Sequence, residues 1–299
     1  MLADYGEDRL VASLLAQLPV ADRSVGIKAG AGQDDCAVVR PPKGKDWQLL
    51  KTDCIIEGVH FDAEAAPEQV GWKALCRPLS DIAATGGTPV HALVTMALGR
   101  GATLAWATGV YAGIAQAARE FGVTVVGGET ASTPGPSFLS VCVIGTVRRN
   151  RCVLRGGGRP GDLLYVTGVL GGSLPSGRHL TFRPRLQESQ WLTAHFPIRA
   201  MMDLSDGLAA DLPRMTRASG TGFVVDHARI PLSKGCTVEQ ALSDGEDYEL
   251  LFAIGPRKAD KLVKAWEQTF PDLQLTGIGK LDRPTITVGL ESIAGYDHF

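Results

Sequence analysis

Acidic side chains in this sequence stand in glycine-rich turns and at the ends of apolar runs, where they can converge on one site. In chain order they are Asp34, Asp35, Asp53, Asp81, Glu129, Asp203, Asp206, Glu246 and Asp247. Oxygen-rich sets of this kind are typical ligands of hard cations such as Mg²⁺, which takes carboxylates, water and substrate phosphates. A single aspartate in such a turn is more often a helix cap or a turn former. The prediction of a Mg²⁺ site therefore rests on the motifs taken together.

Other common catalytic devices are missing from the sequence. The six histidines show no HExxH spacing and the six cysteines form no CxxC pair, which argues against a zinc or dithiol site. GxxxxGK[ST], a GxGxxG turn after a strand, and GxSxG are also absent, which argues against a P-loop, a dinucleotide fold and an esterase. A nucleotide enzyme with this sequence must hold phosphates through metal ions and backbone amides. A content of 36 glycines in 299 residues is compatible with that arrangement.

The elements that must position these acids alternate between strand-like and helix-like segments, which indicates an α/β architecture. Runs rich in branched residues predict strands at 47–61, 91–98, 123–126 and 138–147. Helical periodicity predicts helices at 7–18 and 104–121. Pro67 begins a further helix that Gly86 and Gly87 close, and Pro78 in its interior predicts a kink or break.

A polar, basic and glycine-rich segment, NRCVLRGGGRPGD, interrupts the alternation near residue 149. Strands and helices resume beyond it, with strands expected at LLYVTG, FVVD, YELLFAI and TITVG and helices expected at 206–217, 238–242 and 257–270. The length also suits two cores of about 150 residues each. We therefore expect two domains, residues 1–148 and 149–299.

The charge balance restricts the partners. Thirty basic residues face 32 acidic ones, whereas a nucleic-acid binder normally shows a basic excess. No apolar run approaches the roughly 18 residues of a membrane span. The segment MLADYGEDRL has no basic leader followed by an apolar stretch. We therefore expect a cytoplasmic protein with no nucleic-acid partner and no membrane partner.

Motifs along the whole chain resemble the thiamine-monophosphate kinase family, which belongs to the superfamily of aminoimidazole-ribonucleotide synthetase. In order they are GQDDCAVV, TDCIIEGVHF, LSDIAATGGTPV, VVGGET, RPGDLLYVTG, RHL followed by PRL, MDLSDGLAADL, GEDYELLF and GYDHF. The resemblance implies an α/β (α+β) fold of two domains, with mixed sheets flanked by helices, that forms a homodimer. It also implies a transferase of thiamine diphosphate biosynthesis, a kinase that phosphorylates thiamine monophosphate with ATP and several Mg²⁺ ions.

The same resemblance assigns site residues by position. Those that match Mg²⁺ ligands are Asp34, Thr52, Asp53, Asp81, Glu129, Asp203 and Asp206. Those that match ATP contacts are Tyr111, Gly128, Glu129, Arg155 and Ser205. Those that match the site of thiamine monophosphate are His60, Glu246 and Ile293. No covalent catalytic residue is implied.

Some of these residues have an equally ordinary structural interpretation. Tyr111 lies on an apolar helical stripe and suits a core position as well as a ligand contact. His60 beside Phe61 could be a packed histidine, and Arg155 among glycines could be a solvated loop residue. Asp206 precedes a helix and would serve as an N-cap in any protein.

Five positions depart from the family pattern. Gln33 precedes the two acids where glycine is usual, and Lys51 replaces a small hydroxyl residue. Pro78 replaces an asparagine, and Glu129 is one methylene longer than the usual aspartate. Ile293 replaces an aromatic residue that meets the thiamine rings. These changes keep two alternatives open, namely a superfamily relative that activates another small substrate with ATP, and a catalytically weak nucleotide-binding dimer. Selenophosphate synthetase would need a reactive cysteine or selenocysteine in an N-terminal glycine-rich loop, and the hydrogenase maturation factor would need a C-terminal cysteine.

Overall fold

The first half of the chain forms a six-stranded mixed sheet. The computed structural model describes residues 7–17, 26–41 and 43–290. The strands are β1 (Ile27–Ala29), β2 (Ala37–Val39), β3 (Trp47–Ile56), β4 (Thr88–Gly99), β5 (Thr124–Thr133) and β6 (Phe138–Val147). They lie in the order β1-β2-β3-β6-β4-β5, with β4 and β5 parallel and the other neighbours antiparallel. The helices of this half are α1 (Glu7–Leu15), α2 (Pro67–Ala84) and α3 (Leu104–Phe121).

Only one face of this sheet is covered by the first core. Along β6, Leu139, Val141 and Val143 are buried beneath α2, while Ser140 and Cys142 alternate with them on the other face and are half-exposed. The alternation follows from the two-residue period of a strand. Within the described residues the second face, which we call the open face, is left largely uncovered.

The second half forms another six-stranded mixed sheet, covered on both faces. Its strands are β7 (Leu163–Thr167), β8 (Ile198–Asp203), β9 (Gly222–Val225), β10 (Leu250–Ile254), β11 (Leu275–Asp282) and β12 (Thr287–Val288), in the order β12-β9-β11-β7-β10-β8. Its helices are α4 (Leu186–His195), α5 (Leu208–Ser219), α6 (Val238–Ser243) and α7 (Pro256–Thr269). One core lies under α5 and α6, and the other lies under α4 and α7.

The helix α2 joins the two halves. It packs on β3 and β6 of its own sheet and also contacts α4 and β8 of the second half. The indole of Trp72 donates to the Phe182 carbonyl at 2.8 Å, and the Ser189 hydroxyl donates to the Ala83 carbonyl. Because α2 is buried on nearly all sides, it is the element best placed to fix side chains between the halves.

The expected fold class of mixed sheets flanked by helices is confirmed. Of the kink or break expected at Pro78, the break is wrong, because α2 continues through this residue from Pro67 to Ala84. A proline inside a helix costs about 3 kcal/mol, and burial of residues on both sides of Pro78 offsets that penalty. The sequence pattern did not predict the helix α4 or the strands β1, β2, β8 and β11. Residues 148–162 connect the two sheets, and we propose that the domain boundary near residue 149 lies in this connection.

No helix within the described residues is long and apolar enough to cross a membrane.

The crossing of α2 and α3 depends on two glycines. A Cβ added at Gly71 would lie 1.9 Å from the Val110 carbonyl oxygen, and a Cβ at Gly113 would lie 1.8 Å from the Glu68 carbonyl oxygen. Neither atom is the end of a flexible side chain, so the helices themselves must separate to admit a larger residue. The position of α2 is therefore set by backbone-to-backbone contact.

We expect Gly113→Ala to lower the free energy of unfolding by about 1–3 kcal/mol, the usual effect of overpacking. Gly101→Ala is the matched control, because no atom lies within 4 Å of its added Cβ. Denaturant unfolding of both variants measures the difference. Equal stability of the two variants would contradict the close crossing.

Candidate active site

Three aspartates from separate elements meet at the junction of the two halves. Asp35 lies in the loop between β1 and β2, Asp81 lies near the end of α2, and Asp203 is the last residue of β8. One carboxylate oxygen of each lies within 4.8 Å of the others, and all three residues are buried. We call Asp35, Asp81 and Asp203 the carboxylate triad. They line a cleft of about 690 Å³ together with Asp53 of β3.

Electrostatics opposes full ionisation of the triad. Burial, and next the charge of Asp35, raise the pKa of Asp203 to about 7. Burial also raises the pKa of Asp81 well above its ordinary value, although Lys51 opposes the shift. The Oδ2 atom of Asp35 is buried and has no hydrogen-bond partner in the described structure. A divalent cation would satisfy that oxygen and remove the repulsion, so the residues present fit a Mg²⁺ site.

Lys51 lies among these carboxylates. Leu49, Lys51 and Asp53 share the face of β3 that is turned toward α2, because every second residue of a strand lies on the same face. The Lys51 Nζ atom is 2.8 Å from Asp81 Oδ1 and 3.6 Å from Asp53 Oδ2. Burial alone would lower the pKa of Lys51, but Asp53 and Asp81 outweigh it and hold the pKa well above the usual value. The chain therefore places a permanent positive charge beside the triad.

Asp34 and Asp206 line the same cleft but are engaged by the protein. The Asp34 carboxylate accepts the backbone N–H groups of Asp35 at 3.0 Å and of Arg155 at 2.8 Å. The Asp206 carboxylate is ion-paired with Arg214. Asp35, which the family resemblance did not assign, takes part in the triad instead of Asp34. The sequence feature that could have identified Asp35 is its position directly after Asp34 in GQDDC.

Arg155 and Ser205, which the family resemblance assigns to ATP contacts, both line the cleft. The Arg155 guanidinium is ion-paired with Asp35. The backbone N–H groups of Ser205 and Asp206 both donate to Asp211 Oδ2 at 3.0 Å, which fixes the turn between β8 and α5. The cleft is also lined by Arg214 and Arg217. Acids at its base and arginines at its rim suit a polyphosphate with bound cations.

Four other expected residues do not reach the triad within one chain. Thr52 is exposed on the open face, where its hydroxyl lies 3.3 Å from the Ser140 hydroxyl. Glu129 pairs with Thr95, which pairs with Ser140, so Glu129 lies on that same face. Gly128 is also exposed on the edge strand β5. Tyr111 is 39% exposed on α3, which excludes the core position.

His60 and Glu246 come together through Lys73. The fully buried Lys73 ammonium donates to the His60 carbonyl at 2.7 Å and forms an ion pair with Glu246. The buried His60 ring accepts from the Ile56 N–H at 3.1 Å. We call His60, Lys73 and Glu246 the acceptor end, after the substrate that the family resemblance assigns to His60 and Glu246; the three residues are not among those that line the cleft. Ile293, the third expected substrate contact, lies outside the described residues.

The RHL and PRL motifs support the turn that carries Glu246. Arg178 is ion-paired with Asp247, and Arg185 binds Glu249 through two nitrogens. Both carboxylates are buried, so each needs its arginine to remain satisfied in the interior. These motifs therefore have a structural role in the GEDYE turn.

Comparison with known proteins agrees with this architecture. Residues 33–147 match the N-terminal domain and residues 159–282 match the C-terminal domain of AIR synthase related proteins, so the chain belongs to that class. Thiamine-monophosphate kinase of Rhodopirellula baltica is 36% identical over 90% of this chain and 88% of its own length, and that of Synechococcus elongatus is 30% identical over 88% and 86%. A solved structure of AaThiL complexed with AMPPCP and TMP is 29% identical with a TM-score of 0.84, and the match covers 100% of this chain and 99% of that chain. The chain belongs to the thiamine-monophosphate kinase family.

Removal of the Lys51 charge should strengthen Mg²⁺ binding. We expect Lys51→Ser to bind Mg²⁺ at least about tenfold more tightly, or to bind a further ion, because an ammonium in contact with Asp81 would repel a divalent cation held by the same carboxylate by several kcal/mol. Calorimetric titration with Mg²⁺ measures both quantities. Lys45→Ser, which removes an exposed lysine just before β3, is the control. Identical titrations for Lys51→Ser and the wild type would show that Lys51 does not compete with the ion.

Lys73 gives a pH dependence of stability. Burial lowers the pKa of Lys73 from 10.5 to about 8, although Glu246 opposes the shift. The unfolded chain therefore holds this proton more tightly than the folded chain, and the free energy of unfolding should rise between pH 8 and about 10.5. Relative to Lys73→Met, the free energy of unfolding of the wild type should rise by up to about 3 kcal/mol across that interval.

Urea unfolding at several pH values measures the gain, with the exposed Lys264→Met as control. Parallel curves for the wild type and Lys73→Met would contradict the assignment.

Proposed function

We propose that this chain transfers the γ-phosphoryl group of ATP to the phosphate of thiamine monophosphate, with formation of thiamine diphosphate and ADP. The observation that carries the proposal is the buried triad of Asp35, Asp81 and Asp203 in a cleft rimmed by arginines. The names of the relatives support the reaction, and so does a similar structure in complex with TMP and AMPPCP, an ATP analogue.

The triad together with Asp53 would hold Mg²⁺. The fit rests on the unpartnered Asp35 oxygen and on the raised pKa of Asp203, both of which a divalent cation would relieve. When bound, such an ion supplies positive charge that neutralises the phosphate oxygens during transfer. Asp34 and Asp206 are proposed as cleft residues that hold Arg155 and Arg214 in place.

The protein itself must bring two polyanions together and orient them. The arginines at the cleft rim provide hydrogen-bond donors for the phosphate chain of ATP. In the transfer, an oxygen of the acceptor phosphate forms a bond to the γ-phosphorus while the bond from that phosphorus to the β,γ-bridging oxygen breaks, and ADP leaves with the bridging oxygen. The acceptor phosphate is already ionised at neutral pH, so no strong general base and no covalent enzyme intermediate are required.

The acceptor end is the proposed site of the thiamine moiety. The Glu246 carboxylate would bind the cationic or amino part of thiamine, and His60 would contact the substrate in the same region. Lys73 holds both, since it contacts the His60 carbonyl and the Glu246 carboxylate at once. In this arrangement Lys73 positions the two residues that meet the substrate.

Loss of a triad or β3 carboxylate should abolish transfer. We expect Asp203→Asn and Asp53→Asn each to lower the rate of thiamine diphosphate formation by at least about 100-fold, because each removes an anionic ligand from a phosphate site. Asp260→Asn on the exposed face of α7 should retain wild-type activity. Mass identification of the products, with ATP hydrolysis followed in the presence and absence of thiamine monophosphate, measures the effect.

Full activity in both site variants would overturn the assignment of the carboxylates. ATP hydrolysis by the wild type that does not respond to thiamine monophosphate would favour a different acceptor.

A homodimer through the open face is the second part of the proposal. Leu93 is 42% exposed and Val126 is 54% exposed, and both lie on strands of the first half at this face. A second copy packed there would remove these side chains from water. Thr52 and Glu129 stand on the same face, so dimerisation would change their surroundings as well.

Because one chain has a mass of 31.7 kDa, we expect the wild type to sediment with the mass of two chains. Val126→Asp should shift the equilibrium toward the monomer. Leu174→Asp, which adds the same charge at an exposed leucine of the second half, is the control. A wild-type monomer at micromolar concentration would refute the dimer.

A further inference from the structure

Arg77 is a cation of the cleft that the family resemblance does not assign. It lies on α2 one turn after Lys73 and one turn before Asp81, so the three side chains share one face of the helix. Lys73 belongs to the acceptor end and Asp81 belongs to the triad. Arg77 is half-buried and lines the cleft. It therefore stands between the two ends of the site.

The guanidinium of Arg77 is engaged differently from those of its neighbours. Arg155 and Arg214 are each ion-paired with aspartates of the cleft. Arg77 donates from Nη1 to the Cys54 carbonyl at 2.9 Å, and in the described part of the chain no carboxylate lies within ion-pair distance of it. One backbone bond fixes its direction. Its other N–H groups are available to an anion, and a planar fork of donors matches phosphate geometry.

A second observation is the hydroxyl group of Tyr248. Tyr248 is only 3% exposed, and its Oη atom has no hydrogen-bond partner among the described residues. Its ring is stacked on Phe182 with centroids 3.8 Å apart. Glu246, two residues before Tyr248, is ion-paired with Lys73, which lies one turn before Arg77 on α2, so the phenol and the guanidinium belong to the same part of the site. A buried hydroxyl without a partner is unfavourable for the fold, and a ligand oxygen would remove that deficit.

The backbone around Tyr248 is strained and firmly held. Glu246 has a φ of +56° and Tyr248 has a φ of +53°, conformations that bulky side chains avoid. The Glu246 N–H donates to the Ser205 carbonyl at 2.7 Å, and the Tyr248 N–H donates to the Leu204 carbonyl at 2.8 Å. These bonds attach the turn to the segment that directly follows Asp203. Strain of this kind is concentrated at functional sites, where the surrounding structure maintains it.

We propose that Arg77 and the Tyr248 hydroxyl together bind an oxygen of the acceptor's phosphate and make the enzyme specific for a phosphorylated acceptor. This inference rests on the function proposed above and assigns two further residues to the same site. On α2, Arg77 sits between Lys73 of the acceptor end and Asp81 of the triad, so a phosphate bound there would face the part of the cleft proposed for the γ-phosphoryl group. The unphosphorylated acceptor makes no such contact.

The test compares thiamine monophosphate with thiamine, which lacks the phosphate. In calorimetric titrations, Arg77→Met should weaken binding of thiamine monophosphate by about 100-fold and Tyr248→Phe by about tenfold, the range expected for hydrogen bonds to a charged group. Binding of thiamine should be unchanged in both variants. Arg119→Met, on the exposed side of α3, is the control for loss of an arginine. Tyr248→Phe should keep or raise the wild-type melting temperature, because it removes an unpartnered buried hydroxyl.

Two outcomes overturn the inference while the proposed function stands. One is a wild type that phosphorylates thiamine monophosphate while both variants bind it with wild-type affinity. The other is an equal loss of affinity for thiamine and thiamine monophosphate, which would indicate a structural role. Tyr248→Phe decides the matter alone if Arg77→Met fails to fold.

A wild type that neither binds nor phosphorylates thiamine monophosphate would refute the proposed function instead. Titration with inorganic pyrophosphate then tests the inference separately. Weaker binding by Arg77→Met supports a phosphate site at Arg77, and unchanged binding overturns it.

Discussion

Mutual repulsion among buried carboxylates is the constraint on which this structure depends. Asp35, Asp81 and Asp203 come from a loop, a helix and a strand, and burial disfavours the ionised forms of Asp81 and Asp203. Lys51 offsets part of that repulsion through its contact with Asp81. Its single charge leaves the Asp35 Oδ2 atom unpartnered. The fold thus maintains a site that is electrostatically incomplete, and the proposed cation with a polyphosphate would complete it.

The helix α2 positions three polar side chains of the site. Lys73, Arg77 and Asp81 are spaced four residues apart, so one helix face presents in order the three side chains proposed to position the acceptor, bind its phosphate and hold the metal. The same helix packs against both sheets, and glycine contacts with α3 fix its position. Displacement of α2 would therefore disturb every part of the site together. The function follows from the burial of this helix as much as from its polar residues.

Much of this could be predicted from the sequence because it depends on local patterns. Strand alternation, the acidic turns and the resemblance to a family indicated the fold class and the reaction. The continuation of α2 through Pro78 could not be predicted, since tertiary burial outweighs a local penalty. Likewise, the choice of Asp35 over Asp34 for the triad, and the contact of Lys73 with Glu246, depend on residues far apart in sequence. The cytoplasmic location stays a prediction.

The most direct test of the central claim is the position of a bound cation. Mn²⁺ has the same preference as Mg²⁺ for oxygen ligands, and its anomalous scattering locates it in a crystal of the wild-type protein with an ATP analogue. We expect an anomalous peak among the carboxylates of Asp35, Asp81 and Asp203. A triad without an ion at saturating Mn²⁺, with the metal bound instead by Asp34, Asp206 or Glu129, would contradict it.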